Sequence, residues 1–133
     1  MRVIYGDTDQ MGVVYHANYL RYFELARCEY IRARGRPYKD IEKDGARLPV
    51  VEAHAHFHQP ARYDDLLVVR TVVQELRRVS MTFGYEVRRE GDPTLLCAGR
   101  TLHACVNAEG RPIRFPPELV RLLKEPGGPP TKP

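Results

Sequence analysis

Asp7 and Asp9 stand one residue apart in the stretch YGDTDQMGVVYHANYLRY, with Tyr5 ahead of them and Gly12 and His16 behind. An ionised carboxylate can attack an electrophilic carbon or take a proton from water, and residue types alone leave both routes open. Such chemistry also needs a place where negative charge can develop on oxygen. The chain supplies one next, because Gly12 to Asn18 leads into a predicted helix whose first N–H groups and positive dipole end would face the reacting centre.

The helix is read from periodicity. From Asn18 to about Arg34 the apolar positions Tyr19, Tyr22, Phe23, Ala26, Tyr30 and Ile31 recur at helical spacing, while Arg21, Glu24, Arg27 and Arg32 are polar. Asn18 is the expected N-cap, and Gly35 with Pro37 supplies the stop. A short strand over Val3 to Tyr5 should precede the acidic loop, and a second short helix is expected over Pro37 to Asp44.

Four further strands follow. Between Leu48 and Arg62, Val51, Ala53, Ala55 and Phe57 alternate with Glu52, His54, His56 and His58, predicting a strand with one buried face. Asp64-Asp65 marks a turn, and the β-branched runs Leu66 to Leu76 and Val79 to Arg89 meet at a tight connection near Arg77-Arg78, which implies antiparallel pairing. Gly91-Asp92-Pro93 is another turn, Leu95 to Val106 a last strand, and Pro116 to Lys124 a short helix with proline at its start. One long helix among successive strands is an α+β pattern, an antiparallel sheet packed on the helix. Residues 1–125 form one domain, and the Pro/Gly-rich stretch from 126 to 133 is expected to be a flexible tail.

Composition excludes several classes. The chain has 133 residues, 43% hydrophobic and 29% charged, as globular domains do. The net charge of +4 is carried by scattered Lys and Arg, so nucleic acid is not an expected partner, whereas a polyphosphate ligand suits it. No apolar run approaches the roughly eighteen residues of a membrane span, and no signal-like segment opens the sequence. Three cysteines without CxxC spacing predict free thiols and a cytoplasmic setting.

The motif from Tyr5 to Tyr22 resembles the signature of the 4-hydroxybenzoyl-CoA thioesterase family, in particular its branch associated with the bacterial Tol-Pal system. The likeness continues through the Pro-Val at Pro49-Val50, the Tyr63-Asp64-Asp65 turn and the Arg77-Arg78 pair. The resemblance implies a hotdog fold, in which a five-stranded antiparallel sheet wraps a long central helix. It also implies subunits joined sheet to sheet as a homodimer or homotetramer, and hydrolysis of acyl-CoA without a cofactor. By the same resemblance Asp9 is the catalytic carboxylate, the His16 backbone N–H the oxyanion donor, and Tyr5 and His16 further site residues. Arg77, Arg78 and Ser80 fall where relatives contact the nucleotide part of CoA, and guanidinium groups suit its phosphates.

The same residues admit plainer roles. Asp7 is better explained as a loop anchor bonding backbone N–H groups. For Tyr5 and His16 the alternatives are strand packing and a capping-loop side chain, and for the Arg77-Arg78 pair a solvated turn. Asp7-x-Asp9-x-x-Gly12 lacks the ligands of a calcium loop, since Met11 and Asn18 occupy ligand positions. A phosphatase carrying the same D-x-D would need an alternating parallel architecture. His54, His56 and His58 recur about 7 Å apart on one strand and cannot close a metal site alone, and Cys28 is read as helix packing. Two other functions fit a hotdog: acyl-thioester hydration or dehydration using His16 and Glu24, and a non-catalytic acyl-CoA-binding or complex-assembly module.

Overall fold

A computed structural model describes residues 1–124; the tail expected from 126 onward lies outside the described residues. A single 3₁₀ turn, Tyr5–Asp7, precedes α1 (Asn18–Ala33) and α2 (Tyr38–Lys43). Then come β1 (Val50–Phe57), β2 (Leu67–Leu76), β3 (Ser80–Arg89), β4 (Leu95–Ala104) and α3 (Pro117–Lys124). The strands form one antiparallel sheet in the order β1-β4-β3-β2. The expected fifth strand is reduced to a bridge between Arg2 and Leu66. The reason is local: Asp7 N–H donates to the Ile4 carbonyl at 3.0 Å and Thr8 N–H to that of Tyr5 at 3.1 Å, turning the chain out of the sheet direction.

α1 buries Tyr19, Tyr22, Phe23, Ala26, Tyr30 and Ile31, the face that its periodicity defines. The Phe23 ring stacks on Tyr85 of β3 with centroids 4.3 Å apart and planes 7° apart. Gly99 of β4 is required here, because a Cβ at that position would stand 2.5 Å from the Phe23 ring. Helix and sheet can meet this closely only over a residue without a side chain.

The buried face expected on β1 is not found. Val51 is 57% exposed and Phe57 47%, because β1 is an edge strand paired only with β4, while the Phe23 ring of α1 packs at Gly99 of β4. Phe57 still meets α1, its ring 5.3 Å from that of Tyr19; alternation could not register that an edge strand leaves much of this side exposed.

Between helix and sheet runs a fully buried polar chain. The His103 Nδ1 lies 2.9 Å from the Leu48 carbonyl, its Nε2 lies 2.8 Å from Thr101 Oγ1, and that oxygen lies 2.6 Å from the Tyr85 hydroxyl. A carbonyl can only accept, so Nδ1 carries the proton and donates to Leu48. Thr101 then donates to Nε2, Tyr85 donates to Thr101, and the imidazole is neutral. Burial holds the His103 pKa below its ordinary 6.5. The unfolded chain therefore binds a proton that the folded chain refuses: stability is complete above about 6.5 and is lost as pH falls toward the depressed folded value. Melting temperature of the wild type should decline between pH 7.5 and 5.5, and His103→Gln, less stable at neutral pH, should show a flatter profile over that interval. Parallel profiles for the two proteins would contradict the assignment.

Candidate active site

The loop after the 3₁₀ turn is built on two carboxylates with different surroundings. Asp7 is 4% exposed. Its Oδ2 accepts from Tyr22 hydroxyl at 3.0 Å and from Ile4 N–H at 3.2 Å, and its Oδ1 lies 3.4 Å from the Arg21 guanidinium. Its carbonyl accepts from Tyr15 N–H at 2.9 Å and from Asn18 Nδ2 at 2.8 Å. Burial first, and next the bond to Asp7, push the Tyr22 phenol well above its ordinary 10.0, so it stays a donor. Asp7 is thus the loop anchor that its residue type predicted, with one backbone N–H among several donors.

Asp9 faces outward from that anchor. Its N–H donates to Val13 carbonyl at 2.9 Å, its carbonyl accepts from Gly12 N–H at 2.9 Å, and its Oδ1 accepts from Met11 N–H at 2.9 Å. Gly12 takes φ of 79° to close this turn, a conformation that favours glycine. Oδ2 has no partner among the described residues, which leaves one carboxylate oxygen for an incoming group.

The helix mouth differs from the expectation in one respect. Asn18 does not cap: Ala17 occupies the N-cap position with helical backbone angles, and no side chain bonds the first turn. Asn18 instead spends its amide on Asp7. The amides of Asn18, Tyr19 and Leu20 donate three residues back, to Tyr15, His16 and Ala17 carbonyls, in 3₁₀ fashion. The N–H groups without an acceptor among the described residues are those of His16 and Ala17, one step before the helix. Of these two, the His16 amide is the donor that the family resemblance implied.

Asp9 and His16 line one cleft of about 320 Å³, together with Val13, Tyr19 and the segment Phe57 to Pro60. The His16 ring lies between Tyr15 at 4.5 Å and Phe57 at 6.2 Å, centroid to centroid. Tyr5 is not among the lining residues; it is 79% exposed and its ring packs on Tyr63 at 5.5 Å. Arg77 and Ser80 line a different cleft, with Arg100 and His54. Arg77 pairs there with Glu75 at 2.6 Å, and Arg78 is exposed. Along the sheet, Ser80 lies seven residues from Val87, the β3 residue level with Phe57 of the Asp9 cleft, about 23 Å of strand. Glu24, invoked with His16 for hydration, lines a separate cavity of about 520 Å³ beside Arg27, Cys28 and His103. Eight residues along a helix is about 12 Å, and the two groups do not converge on one space.

Sequence reading missed the cleft's far wall. Phe57, His58, Gln59 and Pro60 carry no motif, and only folding brings them opposite Asp9. Tyr19 belonged to the helix's apolar face and is indeed buried, yet its edge also closes the cleft. Among the described residues no group of three or more His, Cys, Asp or Glu could hold a metal; the His56 and His58 rings stack on each other at 4.3 Å.

Comparison with known proteins gives the chain's family. The model of the thioesterase-like superfamily matches residues 3–123. The acyl-CoA thioesterase YbgC of Haemophilus influenzae is 37% identical over 90% of this chain and 88% of its own. The DHNA-CoA thioesterase of Staphylococcus aureus superposes with a TM-score of 0.86 at 32% identity, over 92% of this chain and 84% of that one. A mutant 4-hydroxybenzoyl-CoA thioesterase, solved with 4-hydroxybenzoyl-CoA, superposes with a TM-score of 0.84 at 28% identity, over 93% and 95%. These neighbours share the hotdog arrangement, here with four strands in the sheet around α1.

Removing the Tyr22 hydroxyl isolates the anchor. Tyr22→Phe should cost about 1.5–3 kcal/mol in urea unfolding, the range for a hydrogen bond to a charged group. A variant as stable as the wild type would show that the Asp7 bond carries no weight.

Proposed function

The chain belongs to the thioesterase-like superfamily, and from that premise we propose that it hydrolyses an acyl-CoA to free acid and CoA in the Asp9 cleft. The observation that carries this reading is the meeting, in one cleft, of a carboxylate with an uncommitted oxygen and an amide with no acceptor among the described residues. The thioester carbonyl carbon sits over Asp9, and its oxygen points to the His16 and Ala17 amides. Charge that develops on that oxygen meets N–H dipoles already fixed by the fold. Asp9 either attacks the carbon, giving a mixed anhydride and CoA thiolate, or takes a proton from water that attacks in its place.

The His16 side chain is exposed beside the same cleft and borders the acyl group. Tyr5 is outside the cleft lining, and its role in this reading is that of an exposed phenol meeting the pantetheine arm. Arg77, Arg78 and Ser80 serve the CoA phosphates from a neighbouring copy, since in their own copy Arg77 and Ser80 line a different cleft. Support for such a copy comes from β1, an unpaired edge with Val51 and Phe57 exposed. Unprotected edges of this kind pair with another chain. The working unit is a homodimer or homotetramer. The cytoplasm suits three free cysteines, two of them fully buried; burial pushes the Cys97 thiol up to about 12.

Thiol release from a panel of short, long and aromatic acyl-CoAs tests the reading. Asp9→Asn should lower turnover about a hundredfold or more while the melting temperature stays near that of the wild type. Equal rates for the two proteins on every substrate would end it. Light scattering should report at least a dimer, and a monomer at every concentration would remove the neighbouring copy from the account.

A further inference from the structure

The cleft's far wall begins at Phe57, the last residue of β1, and continues through His58 to Pro60 in a connection with little backbone pairing of its own. His58 and Gln59 N–H groups both donate to the single Leu96 carbonyl, at 2.8 and 3.1 Å. Pro60 has no N–H to give. Its carbonyl is the handle by which the chain is held at that point, and what holds it is Arg89, the last residue of β3. One arm of the guanidinium, Nη2, donates to Pro60 carbonyl at 2.7 Å, and Nε donates to Asp65 Oδ2 at 2.9 Å. The same Asp65 oxygen accepts Arg62 N–H at 2.8 Å. The segment from 60 to 65 is therefore clamped at both ends by one side chain.

The clamp continues to the catalytic loop through the backbone. Ala61, fully buried between the two clamped points, accepts Val14 N–H at 2.8 Å. Val13, its neighbour, accepts Asp9 N–H at 2.9 Å. Three consecutive links thus run from the rigid end of β3 to Asp9: guanidinium to Pro60, Ala61 to Val14, and Val13 to Asp9. Pro60, Val14, Val13 and Asp9 all line the cleft. Nothing in the Arg89 guanidinium reaches the cleft itself; it sits behind the wall, about 30% exposed with Asp65 at 22%.

We propose that Arg89 is a positioning residue for thioester hydrolysis, setting the width of the cleft and the height of Asp9 through Pro60 and Ala61. This role rests on the Asp9 reading. Two bonds at fixed angles to a carbonyl and a carboxylate call for a planar fork; the single ammonium of lysine can hold the charge near Asp65 but cannot reproduce both directions. Positions near the chemistry are sensitive to this, because a displacement of about 1 Å can cost roughly a hundredfold in rate.

The test compares wild type, Arg89→Ala, Arg89→Lys, Asp65→Asn and Asp9→Asn by steady-state thiol release on one acyl-CoA that the wild type cleaves, with melting temperatures alongside. Arg89→Ala should lose about tenfold or more in kcat with KM changed less than about threefold, and Arg89→Lys should recover only a minor part of the loss. Added methylguanidinium should restore rate to Arg89→Ala and leave the wild type unchanged, a response that a purely structural residue would not give. Where Arg89→Ala does not fold, Arg89→Lys and Asp65→Asn carry the comparison, with a lowered kcat expected in each. Folded Arg89 variants with wild-type kcat, or losses that merely follow the folded fraction, overturn the proposal while Asp9→Asn stays inactive. Full turnover by Asp9→Asn instead removes the Asp9 reading, and the positioning role with it.

Discussion

One buried carboxylate organises the end of the molecule where chemistry is placed. A charge taken from water is costly unless hydrogen bonds replace its hydration, and Asp7 is supplied by a phenol, a backbone amide and a guanidinium from two separate segments. The need to satisfy that group forces the 3₁₀ turn, the entry of α1 and the side chain of Tyr22 into one arrangement. Its own carbonyl extends the constraint to Tyr15 and Asn18. Everything between, Asp9 and the His16 amide included, is strung across a span whose two ends are fixed.

The rest of the fold holds that span against the sheet. Phe23 lies flat on Tyr85 over Gly99, and the Tyr85–Thr101–His103–Leu48 chain replaces what could have been an apolar layer with directional bonds. A fully satisfied polar chain permits one register of helix on sheet where apolar packing alone permits several. The same placement of α1 over β3 and β4 leaves β1 at the margin with apolar side chains in water. The architecture that steadies the helix mouth therefore also leaves β1 as an edge strand.

Much of this was legible from residue order, and the reasons differ by element. The period of Tyr19, Tyr22, Phe23, Ala26, Tyr30 and Ile31 marks α1 to within a residue, since burial on one stripe leaves a repeating trace. β2 and β3 are marked by β-branched runs and β4 by the turn residues around it, and the D-x-D ahead of a helix pointed to the cleft through family resemblance as well as chemistry. What escaped was set by partners distant in the chain. Asn18 looks like a cap and is diverted by Asp7; Val51 and Phe57 look buried and are left partly bare by β1's place at the edge of the sheet. Tyr5 carries a site motif and turns outward onto Tyr63. The wall at Phe57 to Pro60 has no local signature, because its role depends only on which loop faces it after folding.

In the proposed mechanism the acyl carbon rests on Asp9 with its oxygen at the amides that precede α1. A crystal structure of the Asp9→Asn protein with a non-hydrolysable thioether analogue of acyl-CoA measures that arrangement directly. The substituted side chain at position 9 should lie about 3–3.5 Å from the carbon that stands for the reacting centre, and the His16 nitrogen about 2.7–3.1 Å from the oxygen bound to it. An acyl group seated instead beside Glu24 and Arg27 of the same protomer, with the 320 Å³ cleft left to solvent, would contradict it.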